Sequence, residues 1–197
     1  MPLSLLPRAI SLVVAAGVLS SCAADTPTDP NNTSESSPSS PAISSAPVAP
    51  RDGLAVDALP EVGRGGQEAC PYLDTQFVAD ANGQRVTDFG VDTRFNPPAC
   101  VFYSYPDEPQ LIVMVRRLSS FGQAMEVVDF AAPIDSTSPA EYGEWDGGRG
   151  ALGGIPTGAG SVFAVAKDSM AVVVWSNQEQ SIKAETIAKQ VIINLGL

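Results

Sequence analysis

Histidine is absent from the 197 residues, and only three cysteines are present. Without histidine the chain cannot build a Ser-His-Asp triad, a Cys-His nucleophile pair or a metal site with a histidine ligand. Three thiols are also too few for a zinc site made of cysteines alone. The sequence therefore predicts no metal, no cofactor and none of the histidine-dependent hydrolases.

Basic residues are also few. Eleven lysines and arginines face 22 aspartates and glutamates, which gives a formal net charge of −11 at pH 7. Such a balance argues against nucleic acid as a partner and against attraction to anionic surfaces, because both need an excess of basic side chains. We interpret the acidic excess as a contribution to solubility.

Long apolar runs are missing as well. The longest apolar run near the start covers residues 9–19 and follows Arg8. It is shorter than the roughly 20 residues that a membrane-spanning helix needs, but it suits the apolar region of a signal peptide. Residues 1–21 are therefore predicted to be a signal peptide, and no later segment predicts a membrane span.

The residues after this run, Leu19-Ser20-Ser21-Cys22, look like a bacterial lipobox. The thiol of Cys22 would accept the diacylglycerol, and small neighbours would admit the peptidase. Two or more acyl chains on one residue anchor a protein stably. The sequence predicts a protein held on the outer face of the cell membrane by lipid on Cys22; the alternative is an ordinary secretory signal with an unrelated cysteine.

Residues 22–52 are predicted to form a disordered tether. From Ala23 to Pro50 the chain is almost entirely Ala, Ser, Thr, Pro, Asn and Asp. Such a composition buries too little apolar surface to offset the entropy of ordering. The tether would reach roughly 30 Å as a flexible coil and about 85 Å if extended.

The two remaining cysteines, Cys70 and Cys100, form an even pair in a chain predicted to be exported. A disulfide is the simplest expectation for such a pair. The alternative is a catalytic thiol, which would lack a histidine base.

Residues 53–197 are predicted to form one α+β domain. Apolar periodicity and capping residues predict the order helix, hairpin, helix, hairpin, helix, with the helices packed on a curved antiparallel sheet built from the two hairpins. The run from Leu111 to Val115 is apolar on both faces, so its strand should be central in a covered sheet. The predicted helices are 70–83, 120–132 and 179–195, the predicted strands 99–105, 111–118, 161–167 and 170–176, and 133–160 is predicted to be a loop.

This predicted loop holds the candidate binding residues Tyr142, Trp145, Asp146 and Arg149. Aromatic rings beside charged groups are typical of ligand sites, although a solvated loop with its rings folded against the domain would give the same pattern. The acidic residues of this stretch also leave open glycan hydrolysis by a carboxylate pair. Residues 148–153 match the spacing G-x-G-x-x-G, but the flanking residues favour a glycine-rich turn or bulged strand over a dinucleotide site.

Four features follow one another along the chain: the lipobox, the Ser/Thr/Pro-rich tether, Cys70-Pro71-Tyr72-Leu73 and Pro98-Ala99-Cys100-Val101-Phe102. In these features the chain resembles the small actinobacterial cell-envelope lipoproteins of unknown function. The resemblance implies an extracytoplasmic, disulfide-held domain with no established activity. We expect a non-catalytic module that binds a small molecule, a glycan or an envelope protein; a carboxylate-dependent glycan hydrolase and a purely structural or assembly role are the alternatives.

Overall fold

A computed structural model describes residues 51–66 and 68–197. The predicted signal peptide, Cys22 and the tether up to Pro50 lie outside the described residues. Asp52, the last residue of the predicted tether, lies inside them and contacts the folded domain.

The described residues form one antiparallel sheet of seven strands with three helices. The strands lie in the order β1-β2-β3-β7-β6-β5-β4. In chain order the elements are α1 (Thr75–Asn82), β1 (Asp88–Asp92), β2 (Ala99–Tyr103), β3 (Pro109–Arg117), α2 (Phe121–Ala131), β4 (Ser138–Tyr142), β5 (Trp145–Ile155), β6 (Gly158–Lys167), β7 (Met170–Ser176) and α3 (Ser181–Leu195).

The α+β class and the antiparallel sheet are confirmed, and both predicted hairpins, β2–β3 and β6–β7, are present. The sheet is larger than two hairpins, because β1, β4 and β5 also belong to it. The predicted loop at 133–160 was wrong: it contains β4, β5 and the start of β6. Glycine and proline obscure these strands, since they lack the β-branched and aromatic side chains that make a strand recognisable.

Both faces of the sheet are covered. One core lies between the sheet and the helices α1 and α3, and we call it the α3-face core. The other, the α2-face core, lies between the sheet and α2, with residues 54–62 packed against it. Strand β3 contributes to both, with Leu111 and Val113 on the α3 face and Ile112 and Met114 on the α2 face. Its predicted central, doubly covered position is confirmed.

The segment from Arg51 to Gly66 is an ordered arm, held at several points along its length. The guanidinium of Arg116 binds Asp52, and that of Arg94 donates to the carbonyl of Leu59. The hydroxyl of Tyr103 donates to the carbonyl of Val62. Bonds of this kind satisfy an arm that has little regular secondary structure of its own.

Helix α1 begins later than predicted. Asp74 caps its start by accepting bonds from the backbone N–H groups of Gln76 at 2.8 Å and Phe77 at 3.1 Å. An aspartate at this position is a stronger start signal than a proline in the first turn, so the helix starts after Asp74. Gly83, with φ of 75°, ends the helix as predicted.

The disulfide between Cys70 and Cys100 is confirmed, with the sulfur atoms 2.05 Å apart. It joins the segment that leads into α1 to strand β2. Cys100 is fully buried in the α3-face core. The bridge therefore fastens α1 to the sheet that it covers.

Candidate functional site

The four predicted binding residues lie together in sequence on the β4–β5 hairpin but do not form one site. Tyr142 and Trp145 stand opposite each other in the hairpin, and Trp145 is only 3% exposed within the α3-face core. Successive side chains of a strand point to opposite faces. Asp146 accordingly lines a groove beside α2, whereas Arg149 contacts α3.

Arg149 belongs to a charged cluster between β5 and α3. Its Nη1 lies 2.6 Å from Oε2 of Glu185, and Nζ of Lys189 lies 2.7 Å from the other oxygen. The same Lys189 lies 5.0 Å from the centre of the Tyr142 ring. Burial alone would raise the pKa of Glu185, but the bonds and charges of Lys189 and Arg149 outweigh it and hold that pKa below its usual value. These contacts assign Arg149 and Tyr142 to the packing of the hairpin on α3.

The low pKa of Glu185 predicts a stability that depends on pH. A carboxylate whose pKa is lower in the folded than in the unfolded state stabilises the fold at neutral pH. This contribution is lost as the pH falls below the unfolded-state pKa and then through the folded-state pKa. Replacing Glu185 with glutamine should lower the free energy of unfolding by about 1–2 kcal/mol at pH 7, since both cations remain partly solvated. Urea unfolding should show a smaller difference in stability between the unaltered chain and the Glu185→Gln variant at pH 3 than at pH 7. Glu141→Gln, an exposed carboxylate of β4, is the control; an equal effect there would contradict the assignment.

A groove at the C-terminal end of α3 is lined by two of the predicted residues, Tyr142 and Trp145. We call it the α3 groove; its volume is about 450 Å³, and it is lined by Tyr142, Gly143, Glu144, Trp145, Lys167, Ile192, Ile193, Gly196 and Leu197. Its charged groups are paired with each other, because Nζ of Lys167 lies 3.1 Å from Oε2 of Glu144. The ring of Trp145 is almost wholly covered. The α3 groove therefore offers a ligand few free groups.

A second groove lies between α2 and the β4–β5 hairpin. We call it the α2 groove; its volume is about 460 Å³, and it is lined by Met125, Val128, Asp129, Ala132, Ile134, Thr137, Ser138, Pro139, Asp146, Gly147 and Gly148. Helix α2 supplies an apolar wall with one carboxylate, and β4 and β5 supply the opposite wall with another. The volume falls in the range of roughly 300–1,000 Å³ that is usual for small-molecule sites.

Glycines of β5 make the floor of the α2 groove. A Cβ added at Gly148 would lie 2.9 Å from Oγ1 of Thr137 and 3.1 Å from Cβ of Ala132. A Cβ at Gly147 would collide with the carbonyl of Ala164 on β6. The glycine-rich run thus serves close packing. The interpretation of the G-x-G-x-x-G stretch as a bulged strand is confirmed, since it lies in β5 and the register shifts between Leu152 and Ile155.

Residues 54–197, which include both grooves and the whole sheet, match the family described as "Domain of unknown function (DUF2020)". The chain belongs to the DUF2020 family. Among curated proteins, no sequence matches this chain.

The α2 groove of this DUF2020 domain contains two carboxylates without a partner in the part of the chain that the structure describes. Asp129 and Asp146 are both exposed, and within the described residues neither forms a hydrogen bond or an ion pair. Two uncompensated negative charges beside an apolar wall favour a positive or neutral polar group and repel an anion.

Sequence reasoning found one of these carboxylates, Asp146, and missed the other. Met125 and Val128 lie on the apolar face of α2, and the helical periodicity that predicts this face does not distinguish core residues from groove residues. Ile134 is 83% exposed, directly after the proline that ends α2. A lone isoleucine in a polar stretch was the signal that could have indicated an apolar surface at this position.

Neither a metal cluster nor a membrane-spanning helix is found in the described part of the DUF2020 domain. No group of three or more His, Cys, Asp or Glu side chains there could hold a metal ion. No helix among residues 51–66 and 68–197 is long and apolar enough to cross a bilayer.

Proposed function

We propose that this DUF2020 domain is a non-catalytic binding module whose α2 groove takes an amphipathic ligand with an apolar body and a neutral or cationic head. The supporting observation is the combination, in one groove, of an apolar wall with two exposed carboxylates that have no basic partner among the described residues. The ligand would lie between α2 and the β4–β5 hairpin.

The cellular setting of this proposal rests on the sequence. Signal peptide 1–21, the lipobox ending at Cys22 and the tether to residue 52 would place the domain outside the cell membrane on a lipid anchor. A ligand with an apolar body has limited solubility in water and collects near membranes. A domain held close to the membrane on a tether is suited to meet such a ligand.

The shape and chemistry of the groove support an amphiphile over a sugar or a nucleotide. The residues that line it include methionine, valine, isoleucine and proline but no aromatic ring on which a sugar or base could stack. Its two carboxylates would repel the phosphates of a nucleotide. An alkyl chain along Met125 and Ile134, with its head beside Asp129, satisfies both the apolar wall and the charge.

We expect dodecyltrimethylammonium to bind more tightly than dodecyl sulfate, which has the same chain and the opposite charge. Both are titrated below micelle formation into the full chain carrying Cys22→Ser, and binding is followed by displacement of Nile red. Replacing Ile134 with serine should weaken binding of the cationic probe by about three- to tenfold, because part of the buried apolar area is lost.

The matched control for Ile134 is Ile193→Ser, an exposed isoleucine that lines the α3 groove instead. It should leave binding unchanged. The double change Asp129→Asn with Asp146→Asn should abolish the preference for the cationic probe while the affinity for Nile red remains. Equal binding of the two probes by the unaltered chain, or a larger effect of Ile193→Ser than of Ile134→Ser, would refute the proposal.

A carboxylate-dependent glycan hydrolase is the second candidate, because Asp129 and Asp146 project from opposite walls of one groove, as the acids of glycosidases do. Two observations disfavour it. The aromatic residues Tyr142 and Trp145 lie at the α3 groove, on the other face of the sheet. The groove walls are also mostly apolar, whereas glycans require hydrogen-bonding partners along their length.

A further inference from the structure

A small pocket of about 210 Å³ lies where the ordered part of the chain begins. It is lined by Arg51, Asp52, Asn96 and Arg117. Arg51 starts the ordered arm, Asn96 precedes β2, and Arg117 is the last residue of β3. Three separate parts of the chain thus bring two guanidinium groups and one amide to the same pocket.

The charge of this pocket is positive because its one carboxylate is already engaged. Both oxygens of Asp52 accept hydrogen bonds from the guanidinium of the buried Arg116. Arg51 and Arg117 are exposed, and neither has an ion pair within the described part of the chain. Three arginines therefore meet one aspartate, in a chain whose formal net charge is −11.

Most other cations of the described residues have a carboxylate partner; Arg85 and Lys183 have none either, but they lie outside this pocket. Arg64, Arg94, Arg149, Lys167 and Lys189 all lie within 4.0 Å of a carboxylate oxygen. Two like charges that line one pocket repel each other, and a bound anion would remove that repulsion. The net charge of the chain averages over the whole surface and conceals this local excess.

We propose that Arg51, Asn96 and Arg117 form a binding site for a phosphate-type oxyanion. A planar guanidinium group donates two parallel N–H hydrogen bonds to phosphate oxygens, and the side-chain NH2 group of Asn96 can donate a further hydrogen bond. The pocket is large enough for a phosphate with a short substituent. Free phosphates and the phosphate of a lipid headgroup share this chemistry.

Titration of inorganic phosphate into the full chain carrying Cys22→Ser tests the site, with backbone amide shifts in NMR spectra as the readout. We expect saturable shifts centred on Asn96 and Arg117. Arg117→Gln and Arg51→Gln should each weaken binding about tenfold, and Arg117→Lys should restore part of the loss because a charge without the planar fork remains. Unperturbed amide positions elsewhere in each variant show that it has folded.

Arg85→Gln is the matched control, because Arg85 is also exposed and has no ion pair in the described residues but lies outside the pocket. It removes the same charge and should change binding less than twofold. Equal weakening by Arg85→Gln and Arg117→Gln would overturn the proposal by showing a general charge effect. The proposal would also be overturned if none of the probes gave saturable shifts.

Two further probes identify the source of the phosphate. Glycerol 1-phosphate represents a free phosphomonoester, and dihexanoyl phosphatidylglycerol represents a lipid headgroup in soluble form. Tighter binding of the lipid supports a headgroup site next to the tether, and tighter binding of phosphate or glycerol phosphate supports a free anion. Either order supports the site, provided that the arginine variants weaken it.

Discussion

Replacing Trp145 with alanine is expected to lower the free energy of unfolding by about 3–5 kcal/mol, the usual loss for a large aromatic side chain removed from a core. The ring is 3% exposed and belongs to the α3-face core at the start of β5. Its removal takes a large apolar contact out of this core and leaves a cavity beside the α3 groove. Urea unfolding followed by circular dichroism measures the change.

Tyr105→Ala is the control for this prediction. Tyr105 is also aromatic but is 75% exposed, so its removal should change stability by less than about 0.5 kcal/mol. If Trp145→Ala were as mild as Tyr105→Ala and instead abolished ligand binding, Trp145 would be a binding residue after all. The experiment therefore separates the ligand role that the sequence suggests from the core role that the structure assigns.

Replacing Asp52 with asparagine should cost about 3–5 kcal/mol, because it leaves the guanidinium of Arg116 buried without a counter-charge. The side chain of Arg116 is 0% exposed, and its Nη2 lies 3.0 Å from Oδ1 of Asp52. Its other bonds, to the carbonyls of Leu54 and Ala55, do not neutralise the charge. We expect a lower midpoint of urea unfolding and earlier proteolysis within the arm at residues 51–66.

Arg116→Met should also destabilise the protein, because it removes the partner of Asp52. Arg117→Met is its matched control, since the two arginines are adjacent in β3 and only Arg116 is buried. The Arg117 change should have little effect on stability. Combining Asp52→Asn with Arg116→Met should recover part of the loss, because no buried charge then remains unpaired. Additive losses in the double variant would show that the two side chains do not act as a pair.

The elements that sequence reasoning predicted correctly are those whose signals are local. The apolar run of β3 and the β6–β7 hairpin carry their own β-branched residues, and α2 begins at the Ser120 cap as its sequence predicts. Strands β4 and β5 have no such local signal. Strand β5 is held by pairing with β6, where glycines permit close backbone approach, and β4 is held by pairing with β5.

The candidate site shows the same division. Asp146 was predicted as a binding residue and does line a groove, but the groove needs α2 as its other wall. Trp145, Arg149 and Tyr142 were grouped with it because they are neighbours in sequence. On a strand, neighbours point to opposite faces, so once residues 145–149 form part of β5 the group divides between the two faces of the sheet, with Asp146 in the α2 groove and Arg149 against α3. A loop would have imposed no such division.

The sequence alone determined the α+β class, the cysteine pairing, the central strand and the exclusion of histidine chemistry, because each depends on composition or on patterns within a few residues. Only the tertiary structure decided which carboxylates lack a partner, that Trp145 is buried in the core, and that two unpaired arginines line one pocket. These are questions of distance between segments far apart in the chain, and burial and charge pairing across such distances leave no mark on local sequence.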